Sequence, residues 1–433
     1  MTDQYNEIPF WHLDVKNPNK LNDKIPQSAD FCIVGAGFTG LATALHLLKA
    51  GKSVVLFDAM KLGHGASGKN GGMVGPSLHK LGLDGLSQKY GKTKALAILQ
   101  EGINAIDYFP QFIKSENIDC DLKMTGRFRG ITNQKDLDQV IIDCENLMNL
   151  KGFKFEVVKG SDVQSEIGSD LYKGGVIYPR DGGLHPNKLL MGLVKKIVDL
   201  GGQIFEETLV GDIIKTPNGF ETTTNKGTMV SDKVVIASNG YSKRFSGKFS
   251  SYFYKRLLPI TSAMIATEQL PLELINRLFP KRRMHGGNHR LVQYYRASPD
   301  DKRVLFGARG TDQWDRPIQN GQGLKSNLCR IFPELNNVKI EYSWSGKVAY
   351  TFDHTPHLGI HDGLYYAIGY CGSGVTRSIY LARQLSRRIL GQDDCQTAFD
   401  DLSFETKPFY YGNPWFMPAI LKWHNFLDNI EGK

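Results

Sequence analysis

The stretch from Asp30 to Met73 constrains this chain more than any other, because it spells out a nucleotide-binding βαβ unit. Asp30 to Val34 is a short apolar run of the kind that forms a buried parallel strand. Gly35, Gly37 and Gly40 follow as G-x-G-x-x-G, with Phe38 and Thr39 inside the motif. The first glycine permits a tight turn, the second lets the backbone approach a pyrophosphate, and the third brings helix close to strand. Thr39 to Ala50 reads as an apolar helix ended by Gly51. Its N-terminus would offer unpaired N–H groups and a positive dipole end to phosphates. Ser53 to Phe57 is a second buried strand. Asp58 ends it, eighteen residues after Gly40, where a carboxylate accepts hydrogen bonds from a ribose. A bare glycine motif is a weak signal, but strand, turn, helix, strand and acid in this order predict a bound dinucleotide.

The 433 residues allow two domains with substantial cores. No apolar run reaches the roughly 18 residues that span a bilayer, so no stable membrane insertion is expected. The N-terminus lacks a basic segment followed by an apolar one, so no secretory signal is expected. Cys32, Cys120, Cys144, Cys329, Cys371 and Cys395 are scattered without a C-x-x-C pair, which argues against a zinc site or disulfide framework and predicts a cytoplasmic location. The net charge of +9 admits an anionic partner. Its densest spots, Lys281-Arg282-Arg283 and Arg383, Arg387, Arg388, are short and carry no nucleic-acid-binding pattern. They read as solvated faces or as a basic funnel for acidic substrates.

Strand-type features return far downstream, at Val230 to Ala237 and Gly363 to Gly369. Cys371-Gly372-Ser373-Gly374-Val375-Thr376 then leads into a helix from Arg377 to Leu390. The nucleotide domain is therefore expected to be discontinuous. Between Tyr252 and Tyr342 the pattern alternates, and Leu291 to Ala297 and Arg303 to Arg309 flank a hairpin turn. The predicted architecture is an α/β Rossmann-like domain over residues 28–88, 155–245 and 343–392. An inserted antiparallel-sheet α+β substrate domain covers 89–154 and 246–342. A lead-in occupies 1–27, and 393–433 is an aromatic tail packing on the protein.

These pieces resemble the superfamily of flavoproteins typified by D-amino-acid oxidase, glycine oxidase and sarcosine oxidase, and within it the gamma-glutamylputrescine oxidoreductases. The likeness covers nearly the whole chain: IVGAGFTGLATALHL, GHGASGKNGGMV, DGGLHP, VVIASNGYS, SWSGKVAYTFDHTPHLG, YAIGYCGSGVTRS and the tail GNPWFMPAILKWHNFLDNI. The resemblance implies FAD, with its adenine end on Gly35 to Asp58. Ala66, Ser67, Lys69, Asn70, Gly71, Gly72 and Met73 would line its middle and ring, Lys69 standing where that subgroup has arginine. Val210 would meet the adenine through its backbone, and Ala237 and Asn239 would cover the pyrophosphate side. Gly372, Gly374, Val375 and Thr376 would approach the pyrimidine edge, where a helix N-terminus stabilises the negative charge that reduction brings. Sarcosine oxidases attach FAD to a cysteine before a Tyr-Thr pair. Lys347-Val348-Ala349-Tyr350-Thr351 has none, which implies non-covalent FAD. Those enzymes also activate oxygen with a lysine near Val304 to Gly307, and here only Lys302 is close.

The implied reaction is oxidation of the C–N bond of a primary or secondary amine or amino acid carrying an acidic group. Hydride passes to flavin N5, and the imine is then hydrolysed. Two alternatives are a dehydrogenase of N-methylated amino acids or aminophosphonates using another acceptor, and a flavin-containing tRNA-modifying protein. No dedicated base is needed, so the candidates are substrate-orienting groups. Arg309 would bind a substrate carboxylate or phosphonate in fork geometry, or is a solvated strand residue. Tyr295 shares its hairpin. Tyr370 closes the pocket or packs in the core, and His185 approaches the flavin or caps a helix. Asp353, His354, His357 and His361 suggest a metal, but Pro356 interrupts them, and no metal site is expected.

Overall fold

Parallel pairing of Ser28–Val34 with Val54–Phe57, Phe31 opposite Val54 and Val34 opposite Phe57, starts the first sheet. These are the two apolar runs expected to be buried strands, and Cys32, Ile33, Val34 and Val54 to Phe57 are all buried. The computed structural model describes every residue except 1–4, 14, 16–20, 77, 79, 245–246, 310–316 and 432–433. Gly227–Ile236 pairs in parallel on the other side of Ser28–Val34 and is followed outward by Leu364–Ile368 and His357–His361. Gln203–Phe205 continues the sheet beyond Val54–Phe57, and Val210–Thr216 and Gly219–Thr224 form a hairpin on Gly227–Ile236.

The helix Phe38–Lys49 is buried along most of its length, since Pro186–Asp199 and Gly374–Ile389 pack on either side of it over the sheet. Lys92–Ser115 packs against Gly374–Ile389 and joins the same apolar core. That helix was expected in the substrate domain, and the structure places it against the nucleotide domain instead.

The second sheet runs in the order Ile340–Tyr350, Leu258–Thr267, Val304–Arg309, Gln293–Ala297, Met284–Gly286, Arg127–Ile131, Gly174–Tyr178 and Glu156–Lys159. It is antiparallel except where Met284–Gly286 meets Arg127–Ile131. Two expected boundaries therefore move: residues 156–178 supply two strands to this sheet rather than to the first, and Ile340–Tyr350 crosses the division placed at 343. Its two faces obey the period of two. Ile265, Tyr295 and Phe306 enter one core on the helical side, whereas Met264, Tyr294 and Leu305 point the other way with Trp11 and Trp344.

Single residues of the tail touch the rest of the protein. The Tyr410 hydroxyl donates to the Leu257 carbonyl at 2.6 Å, and Arg290 clamps Asp428 of the helix Met417–Ile430 at 2.9 Å. Trp415, Trp423, Phe426 and Ile430 remain exposed. Among the described residues no helix is long and apolar enough to cross a membrane, and no cluster of side chains is arranged to hold a metal.

Candidate functional site

The site begins at the turn after the first strand. Gly35 adopts φ +108°, and a Cβ there would lie 2.7 Å from the Ala237 carbonyl oxygen. A Cβ on Gly40 would run into the Gly35 carbonyl, so helix and strand approach as closely as the motif requires. No side chain of Gly37 caps the helix, and the Phe38 N–H donates to Ser67 Oγ at 3.0 Å, which ties the turn to the second glycine loop. Asp58 accepts from the Ala36 and Met60 N–H groups, both at 2.9 Å, so its carboxylate is fixed beside the turn. Val210 opens its strand two residues after Thr208, whose N–H donates to the Asp58 carbonyl at 2.7 Å.

The second loop is held by its own residues. Asn70 Nδ2 donates to the carbonyls of Ala66 and Ser67, while Oδ1 accepts from the Gly72 N–H at 2.8 Å. Its amide therefore shapes the loop and is not turned outward. The Lys69 carbonyl accepts from Trp344 Nε1 at 2.9 Å, and the Lys69 side chain runs beside Gly346. Met73 and Val74 ladder with Gly183 and Gly182 of the DGGLHP turn. Arg296, buried and without a carboxylate partner among the described residues, locks that crossing by donating to the carbonyls of Leu184 at 3.0 Å and Gly72 at 3.4 Å. Desolvation pulls its pKa down to about 10, which leaves it a fixed positive charge behind the loop.

The third loop closes on the first two. Cys371 and Gly372 both take positive φ, and the helix Gly374–Ile389 starts with no side-chain cap. Asn239 Oδ1 accepts from the Gly369 N–H at 3.0 Å, and Thr376 Oγ1 donates to the Gly75 carbonyl at 2.8 Å. Val375 is buried beneath. The Tyr370 hydroxyl donates to the Ala367 carbonyl and shares a 2.8 Å hydrogen bond with Thr39 Oγ1. Tyr370 thus fastens the first helix to the third loop from the core, rather than walling a pocket. Helix starts at Phe38 and Gly374 whose own N-cap residues make no side-chain cap, with glycines where a Cβ would collide, form a cradle open to an anionic, extended cofactor.

Above the cradle lies the second sheet. Tyr294 covers Gly71, where a Cβ would stand 2.7 Å from its ring, and shares a 3.0 Å hydrogen bond with Ser262 Oγ. Arg309 reaches in from the next strand to Gly372 and lies over the Tyr350 ring at 5.2 Å. Its guanidinium has no side-chain hydrogen bond or carboxylate among the described residues. Desolvation lowers its pKa, but an arginine stays charged.

Tyr295 is corrected, and His185 takes the capping role that was its second reading. Tyr295 faces away: it is buried, bonds the Tyr172 hydroxyl at 2.6 Å and stacks on His285 and Phe306. His185 caps Pro186–Asp199, Nδ1 accepting from the Lys188 N–H at 3.2 Å, and its ring packs edge-on to Trp11. Burial lowers its pKa to about 4, so it stays neutral. Asp353 and His357 pair at 3.1 Å within the core, with Thr355 and Tyr90 also bonded to the carboxylate, which makes a structural knot. Burial alone would raise the Asp353 pKa, but His357 holds it well below the usual range. Lys302 sits exposed in the hairpin turn, away from the cradle. Tyr294, Ser262, Tyr350 and Arg296 were missed by sequence reasoning. Only Tyr294 had a local signal, being adjacent in an alternating strand.

Known proteins agree with this geometry. The model of the DAO family, described as FAD dependent oxidoreductase, matches residues 30–388. The chain is 32% identical to a probable oxidoreductase OrdL of Haemophilus influenzae, over 94% of this chain and 93% of the other. It is 31% identical to the gamma-glutamylputrescine oxidoreductase of Escherichia coli, over 88% of each. Glycine oxidase of Geobacillus kaustophilus superposes with a TM-score of 0.73 at 20% identity, over 88% of this chain and 99% of the other, which shows the fold. The glycine cradle, its helix starts and a family match across most of the length lead to one conclusion: this chain belongs to the DAO family of FAD-dependent oxidoreductases.

Proposed function

We propose that the protein oxidises the C–N bond of a primary or secondary amine or amino acid that carries an acidic group. The observation that supports this reading is Arg309, a desolvated guanidinium without a counter-ion among the described residues, set between Tyr350, Tyr294 and the Gly372 turn. An uncompensated cation at such a place favours an anionic ligand, and its planar fork suits a carboxylate. Bound FAD supplies the hydride acceptor. The chain's own residues hold and orient: Gly35, Gly37 and Gly40 admit the pyrophosphate, Asp58 the ribose, and the start of Gly374–Ile389 a developing negative charge. Among the described residues no group in the pocket has the placement of a dedicated base, and none is required if the amine enters neutral. The strand Ile340–Tyr350 lacks cysteine, which supports FAD held without a covalent bond.

Anaerobic bleaching of the FAD-loaded enzyme by a panel of amines tests this. Amines with an acidic group should bleach it, and Arg309→Met should raise KM for them by about tenfold or more, the worth of a charge-assisted hydrogen bond. A holoenzyme that no amine bleaches would remove the amine reading. Equal turnover of neutral and acidic amines, untouched by Arg309→Met, would remove the anionic one.

A further inference from the structure

Arg309 is not alone above Tyr350. The Lys80 ammonium also lies over that ring, 6.0 Å from its centroid, and Lys80 has no ion pair or side-chain hydrogen bond among the described residues. Other lysines nearby are paired: Lys89 meets Glu405 at 3.1 Å. The buried carboxylate of Asp353, next to His354, is already satisfied by His357, Thr355 and Tyr90. Lys80 is exposed where Arg309 is half-buried, so one cation sits inside and the other at the mouth. The charge is felt locally. It acts, after burial, to keep His354 and His424 neutral, and it also couples to Arg309 itself. Two cations over one aromatic ring, neither with a counter-ion among the described residues, repel each other, and a ligand with a single negative charge relieves only part of that repulsion.

We infer that Lys80 is a second anion-binding residue of the same pocket, and that the substrate is an amine bearing two negative charges at its acidic end. This rests on the anionic reading of Arg309 and extends it. A dicarboxylate and a doubly ionised phosphonate share the required chemistry. The inner charge would be gripped by Arg309 in fork geometry, and the outer one by Lys80 as a point charge at the opening. The residue then determines specificity among acidic amines without touching the reacting bond.

Spectral titration of the oxidised, FAD-loaded enzyme at mildly alkaline pH separates the possibilities, with acetate, malonate and methylphosphonate as probes. Malonate or methylphosphonate should bind about tenfold tighter than acetate, and the tighter of the two identifies the source of the double charge. Lys80→Met should abolish that advantage while leaving the acetate Kd within twofold, and Lys80→Arg should restore it. Because Lys80 is exposed, neither variant should disturb folding, which the flavin spectrum checks. Equal affinity for all three anions in the wild type, or a Lys80→Met variant that weakens acetate and malonate alike, would overturn the second-site assignment and leave Arg309 standing. No response to any anion would overturn both.

Discussion

Replacing Tyr295 by Phe removes one hydroxyl from a buried pair and leaves its partner stranded. The Tyr172 and Tyr295 hydroxyls lie 2.6 Å apart, and both residues are buried. The Phe ring would keep the stacking on His285 and Phe306, so no cavity opens. What is lost is the hydrogen bond, and the Tyr172 hydroxyl then faces apolar neighbours, at a cost of about 1–3 kcal/mol. At about 2 °C per kcal/mol for a chain of this size, the melting temperature should fall by about 2–6 °C. Kinetics should not change, because the residue faces the far side of the sheet. Tyr294→Phe should do the reverse. Ser262 Oγ keeps the Ala308 carbonyl as acceptor at 3.2 Å, so no polar group is orphaned and the melting temperature should hold within about 2 °C. kcat/KM for an acidic amine should fall by about tenfold, the loss of one hydrogen bond at the pocket. Thermal unfolding followed by circular dichroism, with steady-state kinetics on the same preparations, reads both. A Tyr295→Phe variant with unchanged melting temperature and impaired turnover would reverse the facing of this strand.

Acid should destabilise the protein through buried histidines. Among the described residues neither ring nitrogen of His285 has a partner, and burial, then Arg283, lower its pKa to about 3. The unfolded chain binds a proton below about pH 6.5 and the folded chain does not, so stability falls as pH drops from 6.5 toward 3. The loss is about 2 kcal/mol at pH 5 for this residue. His285→Phe should flatten that part of the urea-midpoint profile between pH 7.5 and 5, and parallel profiles for the two proteins would contradict it. Gly40→Ala should purify without flavin absorbance at 450 nm or so, or with much less than the wild type, since its Cβ collides with the Gly35 carbonyl. A variant that retains stoichiometric FAD would show that the turn has room to spare.

The nucleotide unit was legible because its signals are local: glycines, an apolar helix and an acid at fixed distances, all within one βαβ segment. The strands of the second sheet were legible as strands but not in facing. Tyr294 and Tyr295 differ by one position, and in a strand one position exchanges core for pocket. No local signal separates them, since what decides is pairing with Val304–Arg309, Tyr294 opposite Gly307 and Tyr295 opposite Phe306. Asn70 was read as facing the cofactor, and nothing in the motif shows that its amide is used up within its own loop. Lys80 belongs to no motif. Its meaning comes from a tyrosine 270 residues later in the chain.

The hydrogen bond between Thr39 and Tyr370 spans 331 positions. A nascent chain emerging from a ribosome meets its first glycine turn almost at once, yet the third loop appears only when most of the protein has been made. Until then the first helix lacks its fastening and the cradle has one wall missing. Tight capture of FAD therefore has to follow synthesis of the third loop, and truncations ending before Gly374 should yield apoprotein however well their N-terminal portions fold.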